Sequence, residues 1–138
     1  MIELQYTGTE PTRAYPDDAG LDLYVHGDYE IQPGQTLDLD LGAAIKSDQG
    51  FWALLTARSS TMRNKGLIVA QGVIDSGYTG PLYATVYNIT DKPVGVLDGD
   101  RVAQLIIMPN YTEMCTITRV EQLPDTGRGT NGFGSSGA

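Results

Sequence analysis

The stretch LDLDL, residues 37–41, alternates apolar and acidic side chains without a break. Leu37, Leu39 and Leu41 point one way and Asp38 and Asp40 the other, the period of two that marks a half-buried β-strand. The same period recurs at Leu21, Leu23 and Val25, and again at Leu82, Ala84 and Val86. Turn signals fall between such runs: QPGQ, SDQG, DKPVG, LDGD and MPN. Short strands at regular spacing, with 17 glycines and 7 prolines, predict an all-β sandwich or barrel. One short helix is predicted in SSTMRNKG, with its serines as N-cap candidates and Gly66 as the C-terminal stop. The only low-complexity segment is the glycine-rich C-terminal tail.

The chain has 138 residues, enough for one domain with a sizeable core. Its net charge is −8, which argues against non-specific binding to nucleic acid or to an anionic membrane, since both need a basic surface. An anionic ligand therefore needs locally placed arginines, backbone N–H groups or a metal. Cys115 is the single cysteine, so no internal disulfide forms and a reducing, cytoplasmic compartment is the natural expectation. The opening MIELQYTGTE has no basic segment followed by an apolar run, so no secretory signal is expected. No stretch approaches the roughly 20 apolar residues of a membrane span.

Five stretches carry candidate chemistry. In DAGLDLYV, residues 18–25, Asp22 lies opposite the core face, as a solvated strand carboxylate or as an oxygen ligand for hydrated Mg²⁺. In TARSST, residues 56–61, a strand leads into the predicted helix. A helix N-terminus offers free N–H groups and a positive dipole end to phosphate. Ser59 and Ser60 add hydroxyls there, and Arg58 adds a bidentate charge. The bland alternative is a capped helix with a surface arginine.

GLIVAQGVIDSGYTGPLYATVYN, residues 66–88, reads as strand, turn, strand. Asp75 follows Val73 and Ile74, so partial burial is expected, and a buried carboxylate must find partners. Gly72, Gly77 and Gly80 let backbone approach a ligand closely, and Tyr78 offers a flat ring. The alternative is a β-hairpin whose aspartate caps its own turn. In GDRVAQLIIM, residues 99–108, Val102, Gln104, Ile106 and Met108 share a face by alternation. Gln104 then needs a backbone group or a ligand as partner, while Asp100 and Arg101 serve the turn and the surface. In the tail, RGTNGFGSSG, Phe133 suits stacking on a nucleobase and Arg128 suits a phosphate. A plain disordered end is the competing reading. The only histidine, His26, lies near a turn, and Cys115 falls in an apparent strand as a core filler, so neither suggests a nucleophilic triad.

Together and in this order, AGLDL, RSS, GVIDSGYTG, GDRVAQLI and RGTNGFGSSG resemble the five motifs of the trimeric dUTP pyrophosphatases (dUTPases), from residue 19 to residue 137. The resemblance implies a distorted jelly-roll domain over residues 1–127 and a flexible, swapped or lid-like tail over 128–138. It also implies a homotrimer whose active sites each draw on three chains: one for the phosphate motifs, a second for the uracil hairpin, a third for the lid. Carried over by residue, Asp75 takes a proton from the water that attacks the α-phosphorus of dUTP, giving dUMP and pyrophosphate. Tyr78 lies beneath the deoxyribose and excludes a 2′-hydroxyl. The backbone around Val69, Gly72, Val73 and Ile74 reads uracil, and Arg58, Ser59, Ser60 and Gln104 hold phosphates. Asp22 binds Mg²⁺ through water. Phe133 covers the uracil, and Arg128, with Gly134 and Ser135 beside it in the motif, closes the distal end. Many relatives carry asparagine where Val69 stands and glycine where Asn131 stands.

Two other readings compete with this one. The dCTP deaminases are similar in fold, but that family places a glutamate in the strand after the hairpin, and Pro81–Asn88 contains none. A dUTP-binding regulatory protein, or a structural jelly roll, leaves the full set of candidate catalytic residues unexplained.

Overall fold

The computed structural model describes residues 1–134. Ten strands follow one another: β1 Leu4–Gly8, β2 Leu21–Leu23, β3 Tyr29–Ile31, β4 Thr36–Ser47, β5 Phe51–Ala57, β6 Leu67–Val69, β7 Gly72–Asp75, β8 Pro81–Asn88, β9 Val94–Val96 and β10 Ala103–Pro109. They form two four-stranded sheets, ordered β1-β4-β8-β6 and β2-β10-β5-β7, and a two-stranded ribbon, β3-β9. Every pairing is antiparallel. The predicted all-β jelly-roll sandwich is therefore present, and among the described residues no helix is long and apolar enough to cross a membrane.

The alternation seen in the sequence builds the core. Leu39 and Leu41 on β4, Leu82, Ala84 and Val86 on β8, and Leu67 and Val69 on β6 face Leu23 on β2, Ala53 and Leu55 on β5, and Ala103 and Leu105 on β10. Ile31 and Val96 close one end from the ribbon. Burial of such branched side chains supplies the main driving force, each contributing about 1.5–3 kcal/mol. Asn88 is the exception, a fully buried amide. Its Nδ2 donates to the carbonyls of Ile31 and Lys92 at 2.9 and 2.8 Å, and its Oδ1 accepts from the Thr90 N–H and hydroxyl at 2.9 and 2.7 Å. Complete partnering is what makes a buried amide tolerable. It also ties the end of β8 to β3 and to the turn before β9.

The β4–β8 register slips between Asp40 and Ala44, where Gly42 has φ 60°, a conformation that L side chains rarely adopt. The predicted helix shrinks to one wide helical turn, Thr61–Lys65. Gly66 stops it with φ 68° and donates to the Met62 carbonyl, as expected of a glycine in this place. Ser60 does not act as a side-chain cap; it is itself in the right-handed helical region. So short a turn carries little of the dipole invoked from the sequence.

Three further expectations are corrected. The 66–88 stretch is not one hairpin: β6 pairs with β8 in one sheet, while β7 pairs with β5 in the other. The chain changes sheets at Ala70–Gln71. Along β10 the core face is Ala103, Leu105 and Ile107 rather than Gln104, Ile106 and Met108, because Val102 and Ala103 are both buried and the alternation shifts by one. Cys115 lies in no strand; it is exposed beyond a 3₁₀ turn, Tyr111–Met114. From residue 115 to 134 the chain has no strand or helix.

Candidate active site

Cross-strand pairing assembles the first part of the site. Gln104 on β10 stands opposite Asp22 on β2 and opposite Thr56 on β5. Arg58 leaves β5 at this same end. Its Nε donates to Asp22 Oδ1 at 2.8 Å, and its Nη1 donates to the Arg101 carbonyl at 3.3 Å. Arg101 Nη1 donates to Asp22 Oδ2 at 3.4 Å. One carboxylate thus sits between two guanidiniums, with side chains 16%, 29% and 46% exposed for Asp22, Arg58 and Arg101. The cluster carries a net positive charge inside a chain of charge −8. Partial burial of Asp22 and Arg58 keeps solvent from screening it fully.

Gln104 Nε2 donates to the Ala57 carbonyl at 2.9 Å, so its amide is fixed by backbone. Gly20 makes this possible. A Cβ at residue 20 would lie 2.0 Å from Gln104 Oε1, so the glycine of AGLDL is the space that the glutamine fills. Asp18 folds the preceding loop over the cleft by accepting from the N–H groups of Ala14 and Tyr15 at 3.1 and 3.0 Å. The result is a cleft of about 330 Å³ lined by Asp18, Gly20, Asp22, Arg58, Ser59, Arg101 and Gln104, among others. A neighbouring hollow of about 340 Å³ shares Arg58 and Arg101 and adds Ser60, Thr61 and Lys65. The amide groups of Ser59 and Ser60 have no acceptor among the described residues. Thr61 Oγ1, by contrast, is buried and donates to the Val102 carbonyl at 2.7 Å.

Asp22, Arg58, Ser59 and Gln104 are therefore brought together as the sequence suggested, with Ser60 beside them. Arg101, expected from the sequence to serve the turn and the surface, instead closes the cluster. Its only sequence signal is adjacency to the strand that carries Gln104, which does not show where the side chain turns. No group of three or more His, Cys, Asp or Glu residues forms a metal cage among the described residues. Both oxygens of the Asp22 carboxylate are taken by guanidiniums, which leaves at most one carboxylate here for a hydrated ion.

The second part lies elsewhere. Asp75 ends β7 opposite Trp52, at the far end of β5 from Thr56. β2 and β7 are the two edge strands of one sheet. Strand spacing and rise put Asp75 roughly 14 Å from Asp22 across the strands and about 13 Å along them. Asp75 is exposed, contrary to the expected partial burial, because β7 is an edge strand whose alternate residues face outward. The Tyr78 N–H donates to the Asp75 carbonyl at 3.0 Å, closing a tight turn, and Tyr78 OH donates to the Pro81 carbonyl at 2.8 Å. Val73 is two-thirds exposed, whereas Ile74 packs against the core. The Val69 side chain is buried in the core and faces no ligand; opposite Val86 on β8, a branched apolar residue is what the packing requires. The next amide, of Ala70, already donates to the Thr85 carbonyl at 2.8 Å.

The tail stands apart from both. Phe133 is fully exposed at φ 52°, and Gly134 has φ 92°. Arg128 Nε donates to the Asn131 carbonyl, and the Gly129 N–H donates to Thr126 Oγ1 at 2.9 Å, so these contacts are local. Ser135 lies outside the described residues.

A family model described as dUTPase matches residues 7–137. The deoxyuridine 5'-triphosphate nucleotidohydrolase of Leifsonia xyli subsp. xyli is 40% identical over 131 residues, covering 92% of this chain and 84% of that protein. The protein of the same name from Histophilus somni (strain 2336) is 39% identical over 138 residues, covering 94% and 90%. Among solved structures, the dUTPase of Staphylococcus bacteriophage 80alpha with dUPNHPP superposes with a TM-score of 0.90 at 26% identity, covering 99% of both chains.

Proposed function

The chain belongs to the dUTPase family, and on that footing we propose that it hydrolyses dUTP to dUMP and pyrophosphate in a site shared among three copies of itself. The observation that carries the shared site is the separation of its parts. The guanidinium cluster around Asp22 and the acid on β7 sit on opposite edges of one sheet, too far apart to act on one phosphorus atom. A second copy that brings its β7 edge to the first copy's cleft closes that gap, and the cyclic symmetry common among oligomers repeats the junction.

In this reading Arg58, Ser59, Ser60 and Gln104 hold the triphosphate, with Arg101 beside them and free N–H groups at residues 59 and 60 as further donors. Fixed donors aimed at phosphate oxygens stabilise charge at the reacting phosphorus, the main demand of phosphoryl chemistry. Asp22 keeps both guanidiniums in place and would hold Mg²⁺ through water. That ion, when bound, offsets the repulsion among phosphate oxygens. Asp75, exposed toward the junction, accepts the proton of the attacking water. The backbone of Gly72–Ile74 faces the uracil edge, with Val69 contributing packing beneath it. Tyr78 lies under the deoxyribose. Residues 128–138 close over the bound nucleotide, Phe133 on the base and Arg128 on the distal phosphates. Such a reaction belongs in the cytoplasm, where nucleotides are made.

A panel of nucleotides with Mg²⁺ tests the activity. The expected result is release of dUMP and pyrophosphate from dUTP, with UTP and dTTP poor. Ammonia release from dCTP would point to deamination instead.

A further inference from the structure

Three glycines surround Asp75, and the structure asks something different of each. A Cβ at Gly77 would meet nothing within 4 Å, and one at Gly72 would meet Leu55 Cβ at an ordinary 3.4 Å. A Cβ at Gly80 would lie 2.6, 2.8 and 3.0 Å from Oη, Cζ and Cε1 of Tyr78. The Tyr78 ring therefore rests directly on the backbone at residue 80. Its hydroxyl reaches past that point to the Pro81 carbonyl at 2.8 Å, while its own N–H holds the Asp75 carbonyl at 3.0 Å. Gly80 does not have a positive φ, so no backbone conformation demands glycine there. What demands it is the volume of one methyl group.

We propose that Gly80 is a specificity-determining positioning residue: by omitting a side chain it seats the Tyr78 ring, latched to the Pro81 carbonyl, in the one plane that admits a deoxyribose and refuses a ribose. This rests on the reading that Tyr78 lies beneath the sugar. The ring remains 44% exposed, so part of it is free for a ligand while its Oη, Cζ and Cε1 end is held against residue 80. A fixed plane matters because rejecting one hydroxyl group requires a surface that does not yield; a ring able to swing aside would make room for it. Alanine at residue 80 leaves the ring a way out toward solvent, so the fold survives and the seat is lost.

The test is the ratio of kcat/KM for dUTP over UTP in wild type, Gly80→Ala, Tyr78→Ala and the double variant. Gly80→Ala should lower the ratio about five- to tenfold, the scale of one lost hydrogen bond and its contacts, with KM for dUTP rising more than kcat falls. Once Tyr78 is alanine, adding Gly80→Ala should change the ratio no further, because the two residues act as one unit. A Gly80→Ala ratio within about twofold of wild type, or equal effects of Gly80→Ala with and without the ring, would overturn the proposal. If Tyr78→Ala itself leaves the ratio unchanged, the placement of Tyr78 under the sugar is what fails. Tyr78→Phe, which removes only the latch, is the second variant should Gly80→Ala fail to fold. A several-fold lower ratio supports the proposal and an unchanged ratio overturns it.

Discussion

Asp22 shows how one carboxylate can fix two guanidiniums. It is held by Arg58 and Arg101 at 2.8 and 3.4 Å, and in the proposed reading this sets the guanidiniums before a phosphate arrives. Positioning in advance removes ordering that would otherwise fall at the moment of reaction. Asp75 is the opposite case: exposed at an edge and, in the proposed reading, given its environment by a second copy. Asp75→Asn keeps its size and hydrogen-bonding reach but cannot accept a proton. The variant should bind a non-hydrolysable dUTP analogue by titration calorimetry much as wild type does, while turnover falls about a hundred- to ten-thousand-fold, the usual span for a general base. Wild-type turnover in that variant would remove Asp75 from the mechanism.

At the scale of elements, β5 is the hinge of the arrangement. It pairs with β10 on one side, where Thr56 meets Gln104, and with β7 on the other, where Trp52 meets Asp75. The same strand thus anchors both groups of candidate residues at its two ends. The tail is the element least tied to the rest. From residue 115 to 134 no strand or helix forms, and Ile117, Leu123 and Phe133 are largely exposed. A chain ended after Gly127 should fold and assemble as the full chain does by circular dichroism and light scattering, yet lose most of its dUTP turnover. Unchanged kcat/KM would deny the tail any part in closing the site.

For the whole molecule, the decisive matter is that Asp75 and the Arg58 cleft of one copy lie on opposite edges of a sheet, from which the proposed reading takes acid and cleft from different copies. This is open to direct experiment by mixing. Asp75→Asn chains and Arg58→Ala chains, each inactive alone, should regain activity when unfolded together and refolded. In randomly mixed rings about a quarter of the junctions pair an intact cleft with an intact acid. No recovery on mixing would place the acid and the cleft in the same chain and end the shared-site reading.

The sequence by itself determined the class of fold and supplied the candidates for the site. Alternation of apolar residues is local, so Leu23, Leu39 and Leu82 could be assigned to a core from their neighbours alone, and Gly66 could be read as a stop; along β10 the local pattern pointed to the wrong face. Asp22, Arg58, Ser59, Gln104 and Asp75 could be picked out as chemistry-bearing from motif order. What the tertiary structure alone decided was which of these meet. Strand pairing is non-local: nothing in residues 66–75 states that β6 joins β8 while β7 crosses to β5. That choice turns Val69 into core and leaves Asp75 exposed at an edge, while the pairing of β10 with β2 brings Arg101, which the sequence left on the surface, onto Asp22. Local periodicity specifies the face a residue takes; only the closing of the sheets, driven by burial across the whole core, specifies its neighbour.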